Sequence, residues 1–469
     1  MTTIYRPATG EVLTEVADTD PSDIDAVFAR ARAASEVWRR LSGTERSALL
    51  FALADRLEEQ TEAIALTEAR NTGKAIRETR AEASRMPSSV RYWAGWADKI
   101  YGTTVPVPGD FHAYTVREPY GIVVGIIPWN VPYIFAIRKI VTALATGNVI
   151  VLKPALETPL TALMIAEACR EVGIPDGVVQ IVTGAGDIGA ALVAHSETDL
   201  ICFTGFHETG KHIARSAANN LTPTIQELGG KSPQIVFADA DLDEAMDAIM
   251  VGVFASTGQM CIAGSRLLLQ DGVPDAFLER LADRVSALRV GDPEDEATQV
   301  GPHVTATQRD KTLAMIQAGR DAGATVAASG AVPDDERLRG GYYVPPTIFT
   351  DVTVDMPIMQ DEIFGPVLSV MRFRDEEEAV ALANSTQFGL AAGVWTSDSG
   401  RVHRMARDIR AGMIWLNTYR IVHDMVPGGG FGLSGYGAEG GLESIQQLTR
   451  NKSVWTAMRP GLPAGYPRI

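Results

Sequence analysis

Short, continuously apolar stretches alternate with helical patterns from Gly121 onward. Between two of these stretches, residues 160–172 carry apolar positions at helical spacing. Strands that are apolar on both faces and alternate with helices are typical of a parallel sheet with helices on both sides. The sequence therefore predicts an α/β fold whose first strands lie at 122–124, 149–152, 178–182, 200–203 and 234–237.

The same alternation continues over residues 241–425 and predicts a second α/β domain. Its strands are expected near 266–270, 367–371, 393–395 and 413–416. Helical patterns precede the first sheet, and one of them begins with a capping box formed by Ser42 and Glu45. Residues 103–120 differ, because a turn-rich stretch leads into an alternating strand. This stretch predicts an exposed hairpin that contacts another subunit.

Length and charge narrow the class of protein. A chain of 469 residues is too long for one hydrophobic core, so two or three domains are expected. The formal net charge of −16 argues against nucleic acid as the main partner. No apolar window reaches membrane-spanning length, and the first residues lack the apolar core of a signal peptide. We therefore expect a cytoplasmic protein with neither a membrane nor a nucleic-acid partner.

The three cysteines lie in different surroundings. Cys169 falls in an apolar helical pattern and Cys202 in an apolar strand, so both are expected to be small core residues. Cys261 instead lies in a loop among small residues, which leave room around its sulfur. A lone cysteine is more often structural than nucleophilic. Its role therefore depends on whether the chain also supplies a base, an oxyanion donor and an electron acceptor.

Two glycine patterns are candidates for a phosphate site. Residues 184–189 match the dinucleotide fingerprint, but no acidic residue ends the following strand. The stretch 204–211, which contains Gly205 and Gly210, also joins a strand to a helix, whose free N–H groups could face a pyrophosphate. We consider the second pattern the better candidate, although a tight strand-to-helix turn explains either one.

Two polar residues outside these patterns could carry chemistry. Glu227 precedes a double-glycine turn, and beside a cysteine in a dry cleft it could activate water. Asn130 lies between two prolines at a strand end, where its amide could donate to a developing oxyanion. Considered one at a time, a surface acid and a turn asparagine are the commoner roles for these residue types.

Together and in this order, these stretches resemble the aldehyde dehydrogenase superfamily over nearly the whole chain. The motifs that carry the resemblance include Pro128-Trp129-Asn130, Leu152-Lys153-Pro154, Phe203-Thr204-Gly205, Glu227-Leu228-Gly229-Gly230-Lys231, Gly258-Gln259-Met260-Cys261 and Glu362-Ile363-Phe364-Gly365-Pro366. The resemblance implies that Cys261 is the nucleophile and that Asn130, with the backbone N–H of Cys261, forms the oxyanion hole. It implies that Glu227 is the general base for hydrolysis of a thioester.

The resemblance also implies an NAD or NADP cofactor. Lys153 would contact the adenosine ribose, Glu362 the nicotinamide ribose, and Phe364 would pack near the nicotinamide. The other residues assigned to the cofactor are Trp129, Gly205 and Gly210. Two departures from the family pattern affect this site. Leu156 stands where a carboxylate often binds the ribose hydroxyls, which leaves NADP open, and Phe206 replaces a residue that often carries a hydroxyl.

The implied fold is aldehyde dehydrogenase-like, with a Rossmann-like NAD(P)-binding domain, a second α/β catalytic domain and a small β oligomerisation element. We assign residues 1–102 and 119–229 to the NAD(P)-binding domain and residues 230–430 to the catalytic domain. Residues 103–118 and 448–460 are expected to be oligomerisation strands. These strands predict a homodimer or a homotetramer.

The substrate is expected to be an aldehyde, and three residues could select it. Arg138 lies eight residues after Asn130 on the helix that lines the substrate funnel in this family, and Arg420 and His423 belong to another wall. Such groups would suit a semialdehyde or an aromatic aldehyde with a polar or anionic group. Surface or interface roles remain open for all three. The histidines show no metal-ligand spacing, so no metal is expected.

Two other functions compete with a hydrolytic aldehyde dehydrogenase. A coenzyme A-acylating relative is disfavoured, because such members usually lack a glutamate at the position of Glu227. A non-catalytic nucleotide-binding or structural member of the family is the second alternative. The intact residues Cys261, Asn130 and Glu227 argue against it, whereas Leu156 and Phe206 keep it open.

Overall fold

The computed structural model describes residues 1–459, and its first half contains the strands of one parallel sheet with their helices. Its strands are β1 Thr2–Tyr5, β2 Val12–Val16, β3 Thr104–Val105, β4 Phe111–Pro119, β5 Ile122–Ile126, β6 Val149–Lys153, β7 Val179–Ile181, β8 Leu200–Thr204 and β9 Thr224–Glu227. Its helices are α1 Ile24–Trp38, α2 Gly43–Glu59, α3 Thr61–Thr72, α4 Ile76–Ala94, α5 Pro132–Ala145, α6 Leu160–Glu171, α7 Gly186–Ala194 and α8 His207–Ala218.

The second half alternates strands and helices in the same way. Its strands are β10 Pro233–Val236, β11 Arg266–Gln270, β12 Thr325–Ser329, β13 Thr347–Thr350, β14 Val367–Phe373, β15 Phe388–Gly389, β16 Ala391–Trp395, β17 Met413–Leu416, β18 Phe431–Gly432, β19 Gly435–Tyr436 and β20 Thr449–Ala457. Its helices are α9 Leu242–Phe254, α10 Asp275–Ser286, α11 Ala306–Asp321, α12 Pro357–Gln360, α13 Glu376–Ala383, α14 Ser399–Asp408 and α15 Gly441–Gln447. Short 3₁₀ turns lie at Pro21–Asp23, Ala255–Gly258 and Glu336–Leu338.

The first sheet has six strands in the order β19-β9-β8-β5-β6-β7. Strands β5 to β9 pair in parallel, and β19 closes one edge by antiparallel pairing with β9. The side chains of β5, β6 and β8 are almost all buried, because helices cover both faces of the sheet. The apolar runs at 122–124, 149–152, 178–182 and 200–203 are therefore strands, as predicted.

The second sheet has seven strands in the order β12-β13-β14-β11-β10-β16-β17. All neighbours are parallel except β12 and β13. The apolar run at 234–237 forms β10 in this sheet, so it is not a further strand of the first. The prediction of two α/β units is confirmed, and the proposed boundary at residue 230 falls in the loop between β9 and β10.

Helices α2 to α4 pack against one another and against α5 and α6, which lie on the first sheet. The predicted capping box is present at the start of α2, where Ser42 Oγ accepts from Glu45 N at 3.2 Å and Glu45 Oε2 accepts from Ser42 N at 2.7 Å. Two otherwise unpaired N–H groups are thereby satisfied. This packing brings the inner face of α4 to the start of α5, where Asn130 lies.

A three-stranded antiparallel sheet, β20-β4-β3, forms a separate arm. Strand β20 pairs with β4 over its whole length, from Thr449 opposite Pro119 to Ala457 opposite Phe111. The two segments predicted as oligomerisation strands thus meet, although residue 460 of the second segment lies outside the described residues. Among residues 1–459, no helix is both long enough and apolar enough to cross a membrane.

Candidate active site

A cavity of about 820 Å³ lies between the two sheets and contains the residues with the most obvious chemistry. Cys261 and Glu227 both line it, and Glu227 is the last residue of β9, at the carboxyl edge of the first sheet. Arg138, Arg420 and His423 line the same cavity. Residues from four separate stretches of the sequence therefore line one cavity.

The loop that carries Cys261 is held in an unusual backbone conformation. Ser256 and Thr257, in the 3₁₀ turn before it, have φ angles of 54° and 57°, in the left-handed region that residues other than glycine rarely adopt. A side chain at Gly258 would overlap the backbone carbonyl of Gly365. Such strain persists only where surrounding contacts enforce it, and it is concentrated at functional sites. The loop thus presents Cys261 from a fixed backbone.

The thiol of Cys261 is protonated at neutral pH in this structure. Burial raises its pKa to about 12, and the negative charges of Glu362 and Glu227 act in the same direction. Burial also raises the pKa values of Cys169 and Cys202 to about 12, so the pKa does not single out Cys261. Exposure does distinguish it, because Cys261 is partly exposed while the other two are buried in the core, as predicted.

Asn130 is attached to the cysteine loop by a hydrogen bond. Its Nδ2 donates to the backbone carbonyl of Gln259 at 2.8 Å and also contacts Met260 Sδ at 3.8 Å. The Gln259 side chain is itself fixed, because its Oε1 accepts from Val304 N at 3.2 Å. The bond to Gln259 sets the orientation of the amide, so its second N–H is directed toward the cysteine loop.

Glu227 is partly buried, beside an ion pair that the motifs do not reveal. Lys139 Nζ lies 2.5 Å from Glu439 Oε1, and its side chain is only 2% exposed. Burial raises the pKa of Glu227 well above its usual value, and Glu439 raises it further, whereas Lys139 and Arg138 lower it. Among residues 1–459, Glu227 Oε1 has no hydrogen-bond partner. A partly buried carboxylate with a free oxygen next to a thiol is suited to bind and activate a water molecule.

The double glycine after Glu227 makes room for Glu362. The N–H of Gly230 donates to Glu362 Oε1 at 2.9 Å, and a side chain at Gly229 would overlap the same carboxylate. A Cβ atom at Gly230 would lie 2.6 Å from the carbonyl of Cys261. Burial raises the pKa of Glu362 to about 7. The two glycines therefore let three loops meet at one point, between the cysteine and the predicted cofactor groove.

Two aromatic residues assigned to the cofactor are in contact. The rings of Trp129 and Phe364 pack edge to face, with centroids 5.2 Å apart and planes at 86°. Phe364 has a φ of 57°, a further strained position in the loop that carries Glu362. This loop therefore holds Phe364 close to the segment that carries Asn130.

Lys153 ends β6 and points along α7. The amino group has carboxylates nearby, because the charges of Glu157 and Asp187 partly oppose the lowering of the Lys153 pKa by burial. A Cβ atom at Gly189 would lie 3.3 Å from Lys153 Cδ, so the last fingerprint glycine packs against this lysine. Glu157 thus brings a carboxylate to the site that Leu156 leaves without one.

Gly205 and Gly210 pack against neighbouring strands. A Cβ atom at Gly205 would lie 2.6 Å from the Phe203 ring, and one at Gly210 would lie 2.6 Å from Gln226 Oε1. The N–H of Gly205 already donates to the carbonyl of Glu227 at 3.0 Å. Both glycines thus allow close packing of α8 on the sheet, and phosphate contact by either one remains a prediction.

The start of α8 fits an anionic ligand better than the glycines themselves. The helix begins at His207, and no side chain caps its first N–H groups. Among residues 1–459, two buried polar atoms at this end, Thr204 Oγ1 and His207 Nδ1, lack partners. The exposed Phe206 ring lies beside His207, with centroids 4.3 Å apart. Free donors at a helix end suit the pyrophosphate of a dinucleotide.

The three predicted substrate residues differ in their contacts. Arg138 Nε lies 3.6 Å from Asp424 Oδ1. Arg420 donates to the Val251 carbonyl at 2.9 Å and to Ser256 Oγ at 3.4 Å. His423 Nδ1 accepts from the N–H of Met425 at 3.2 Å.

The motifs did not identify six further charged residues that line the cavity: Glu78, Glu82, Arg85, Lys139, Asp424 and Glu439. Among residues 1–459, no group of three or more His, Cys, Asp or Glu side chains is arranged to hold a metal ion.

Comparison with known proteins assigns the family. Residues 1–454 match the family model described as the Aldehyde dehydrogenase family. Betaine aldehyde dehydrogenase of Brucella anthropi is 45% identical over 456 residues, which cover 97% of this chain and 93% of that protein.

Solved structures agree with this match over almost the whole length. The complex of PnpE, from Pseudomonas sp. WBC-3, with nicotinamide adenine dinucleotide has a TM-score of 0.97 at 41% identity, and the match covers 99% of this chain and 96% of that one. Betaine aldehyde dehydrogenase of Staphylococcus aureus in complex with NAD⁺ has a TM-score of 0.96 at 37% identity, covering 99% and 93%. The predicted fold class and family are confirmed: the chain belongs to the aldehyde dehydrogenase family.

Proposed function

We propose that this aldehyde dehydrogenase binds its substrate covalently at Cys261 and releases the acid by hydrolysis at Glu227. The observation that carries the proposal is the shared cavity, in which the partly exposed thiol and the carboxylate with a free oxygen face one space. No hydrogen bond joins them within residues 1–459, so a water molecule or a substrate can enter between them. The two groups can therefore act in separate steps.

In the first step, the Cys261 thiol loses its proton to solvent and the sulfur forms a bond to the aldehyde carbon, while the C=O double bond becomes a single bond and its oxygen becomes an oxyanion. The second N–H of Asn130 and the backbone N–H of Cys261 donate to that oxyanion. When bound, NAD supplies the acceptor for the hydride that leaves the substrate carbon. The products of this stage are a thioester on Cys261 and the reduced cofactor.

In the second step, Glu227 takes a proton from water, whose oxygen attacks the thioester carbon and displaces the Cys261 thiolate. The overall reaction consumes one aldehyde, one NAD⁺ and one water, and it yields a carboxylate, NADH and two protons. The nearby Lys139–Glu439 pair sets the charge around Glu227. The presence of Glu227 favours hydrolysis over transfer to coenzyme A. A non-catalytic role is disfavoured, because the thiol and the carboxylate line one cavity and the Asn130 amide is bonded to the cysteine loop.

The cofactor is NAD, and the groove that would hold it runs from Lys153 to Glu362. Lys153 is placed to contact the adenosine ribose, and the uncapped start of α8 is placed to receive the pyrophosphate. Glu362 is placed for the nicotinamide ribose, with Phe364 and Trp129 alongside. The carboxylates near Lys153 would repel a 2′-phosphate, which supports NAD over NADP. Both solved neighbours described above hold NAD.

Three further parts of the proposal are less specific. The substrate is an aldehyde with a polar or anionic group, because Arg138, Arg420 and His423 line the cavity. The arm formed by β3, β4 and β20 mediates assembly into a homodimer or a homotetramer. The cytoplasm is the expected location, as the composition predicts.

The test is NADH formation, followed at 340 nm, with a panel of aldehydes and with NAD and NADP in parallel. Cys261→Ser is expected to abolish turnover, while Cys169→Ser, the matched control in the core, retains it. Glu227→Gln is expected to give a single burst of NADH and a stable thioester that intact-mass spectrometry detects at Cys261. Steady turnover in Cys261→Ser would refute the nucleophile, and full turnover in Glu227→Gln would refute the base.

A further inference from the structure

A buried lysine between helices α3 and α4 has no part in the steps described above. The side chain of Lys74 is 1% exposed, and it forms an ion pair with Glu82. Its Nζ also lies 3.6 Å from Glu68 Oε2. Burial lowers its pKa, but the charges of Glu82, Glu68 and Glu78 outweigh burial and raise the pKa above its ordinary value. Lys74 is therefore charged, and its charge balances the three carboxylates around it.

Glu68 connects this lysine to the segment that carries Asn130. The Glu68 side chain is 2% exposed, and its Oε1 accepts from the backbone N–H of Tyr133 at 3.1 Å and from Thr161 Oγ1 at 2.6 Å. Tyr133 is the second residue of α5, and no side chain of the preceding residue caps that helix. Glu68 therefore caps α5 from another helix, with a negative charge at the positive end of the helix dipole. Asn130 lies three residues before the N–H that Glu68 accepts.

Glu78 connects the same lysine to the loop that carries Cys261. Its Oε2 accepts from Ser256 N at 2.8 Å and from Ser256 Oγ at 2.7 Å. Ser256 has a φ of 54°, a conformation that persists only where neighbouring contacts enforce it. The carboxylate supplies two such contacts, five residues before the cysteine. The nucleophile loop, like the segment of Asn130, is thus held by a carboxylate whose charge acts on Lys74.

Stability alone does not explain charged groups at this place. Taking Lys74 and Glu68 out of water costs free energy, and apolar side chains of similar volume often give equal or greater stability. Apolar side chains cannot accept the two backbone N–H groups, however. One N–H belongs to α5, which follows β5 of the first sheet, and the other to the turn at 255–258, which comes after β10 of the second sheet. The cluster therefore holds two sides of the cavity from one point.

We propose that Lys74 is a positioning residue for thioester formation, which acts through Glu68 on the segment of Asn130 and through Glu78 on the loop of Cys261. The inference rests on the proposed function, from which it takes the roles of Asn130 and Cys261. Lys74 does not line the cavity, so its effect on the reaction is indirect. Without its charge the carboxylates repel one another or take up protons, and both backbone N–H groups are held less firmly.

The experiment measures backbone order and reaction rate separately. Hydrogen exchange followed by mass spectrometry reports the protection of residues 131–135 and 256–260. The single-turnover rate of NADH formation reports thioester formation, with enzyme in excess over an aldehyde that the native enzyme oxidises and with NAD saturating.

The variants are Lys74→Met, Glu68→Gln and Glu78→Ala. Leu53→Ala is the control for lost stability, because Leu53 is buried in the apolar core on α2. Lys99→Met is the control for loss of a lysine, because Lys99 is 53% exposed and pairs with its neighbour in the sequence. Thermal melts place all variants on one scale of stability.

Lys74→Met should increase exchange in both segments, although they belong to different sheets. Displacement of a reacting group by about 1 Å can cost about a hundredfold, so the single-turnover rate should decrease about ten- to a hundredfold. Glu68→Gln should affect only residues 131–135, and Glu78→Ala only residues 256–260, each with a smaller loss of rate. Lys74→Met combined with Glu78→Ala should be little slower than Lys74→Met alone, because both act through one connection. The two controls should leave both segments protected.

The outcomes separate this inference from the function on which it rests. Absence of NADH formation by the native enzyme with every aldehyde would refute the proposed function, whereas the exchange pattern does not depend on turnover. Unchanged protection of both segments in Lys74→Met would refute the positioning role. A loss of rate no greater than that of Leu53→Ala at the same melting temperature would make Lys74 a structural ion pair only. If Lys74→Met does not fold, the exchange of each segment in Glu68→Gln and Glu78→Ala decides, and equal effects of both on both segments would refute the two separate connections.

Discussion

The sulfur of Cys261 lies close to two carboxylates, those of Glu227 and Glu362, whose charges oppose formation of the thiolate. A protonated thiol resists oxidation and alkylation, so the proposed nucleophile is protected in the free enzyme. The pKa values of both carboxyl groups are themselves raised by burial, to about 7 in the case of Glu362. Protonation of either carboxyl group therefore makes the thiolate easier to form. The three groups titrate as one set and not independently.

The rate at which iodoacetamide alkylates Cys261 in the absence of NAD is expected to increase with pH. This rate should reach no plateau below about pH 10, since the pKa of the thiol is raised to about 12. Glu227→Gln should increase the rate at pH 9 roughly three- to fivefold, because it removes a nearby negative charge. Intact-mass spectrometry measures the rate, and Cys261→Ser gives the background from Cys169 and Cys202. A slower reaction in Glu227→Gln would instead make Glu227 the base that deprotonates the thiol.

The ion pair of Lys139 and Glu439 predicts opposite effects of two substitutions on the pH profile of kcat. Glu227 must be deprotonated to accept a proton from water, and its pKa is raised, so activity falls as the pH drops through that pKa. Glu439→Gln removes a charge that raises this pKa, so the acidic limb should move to lower pH. Lys139→Met removes a charge that lowers it, so the limb should move to higher pH and kcat should decrease at pH 7. If the acidic limbs of both variants moved in the same direction, the substitutions would be damaging the structure and not changing the pKa of Glu227 through charge.

At the residue scale, the sequence indicates candidate residues where the proposed chemistry is encoded in a local motif. Cys261, Asn130 and Glu227 each lie in a short pattern, and the structure brings all three to one region. The pair of Lys139 and Glu439 is separated by 300 residues, and nothing in either local sequence indicates the other. Arg85 follows only the general pattern of an amphipathic helix, so its position on the cavity wall depends on how α4 packs against α5.

At the scale of elements, the double glycine after β9 shows how one turn organises the site. Gly229 and Gly230 let the loop of Glu362 and the loop of Cys261 approach the same backbone. The motif alone indicates a tight turn. The motif does not reveal that Glu362, 132 residues away from Gly230, occupies the space beside the two glycines. Only the structure shows this contact. The strands themselves were predictable, because a buried strand needs a continuous apolar run. The order of the strands in each sheet was not, because every buried strand has the same apolar pattern.

Gly229→Ala is expected to weaken NAD binding, because its methyl group would displace the Glu362 carboxylate. Overpacking of this kind costs about 1–3 kcal/mol, so the KM for NAD should increase about tenfold. Gly186→Ala is the matched control, since a methyl group there meets nothing within 4 Å and Gly186 starts helix α7. The measurement is initial velocity at varied NAD for both variants. An unchanged KM in Gly229→Ala would show that Glu362 does not need its present position.

At the scale of the molecule, strand β20 forms an edge of the arm, and most of its side chains are exposed. A nine-residue edge strand offers unpaired N–H and C=O groups to another chain, a feature that proteins otherwise cover. Trp455, with 61% of its surface exposed, packs against Phe111 on the neighbouring strand. A large exposed aromatic on an open edge suits a subunit contact.

Light scattering coupled to size exclusion is expected to give two or four times the chain mass of 50.3 kDa. Trp455→Glu should lower that mass, because it places a charge in the proposed contact. Val37→Glu is the control, since Val37 is 54% exposed on α1 and lies outside the arm. A native monomer would refute the assembly, and an unchanged mass in Trp455→Glu would place the contact elsewhere.

The strand that carries Glu227 has a partner from the far end of the chain. Strand β9 pairs on its outer edge with β19, where Gly435 lies opposite Glu227. During synthesis, roughly 200 residues must be added after Glu227 before that partner exists, which takes a ribosome about 10–40 s at about 5–20 residues per second. The nascent chain can bury its first sheet early, but it cannot complete the wall that holds the base. The proposed hydrolytic site therefore forms only when nearly all of the chain has been made.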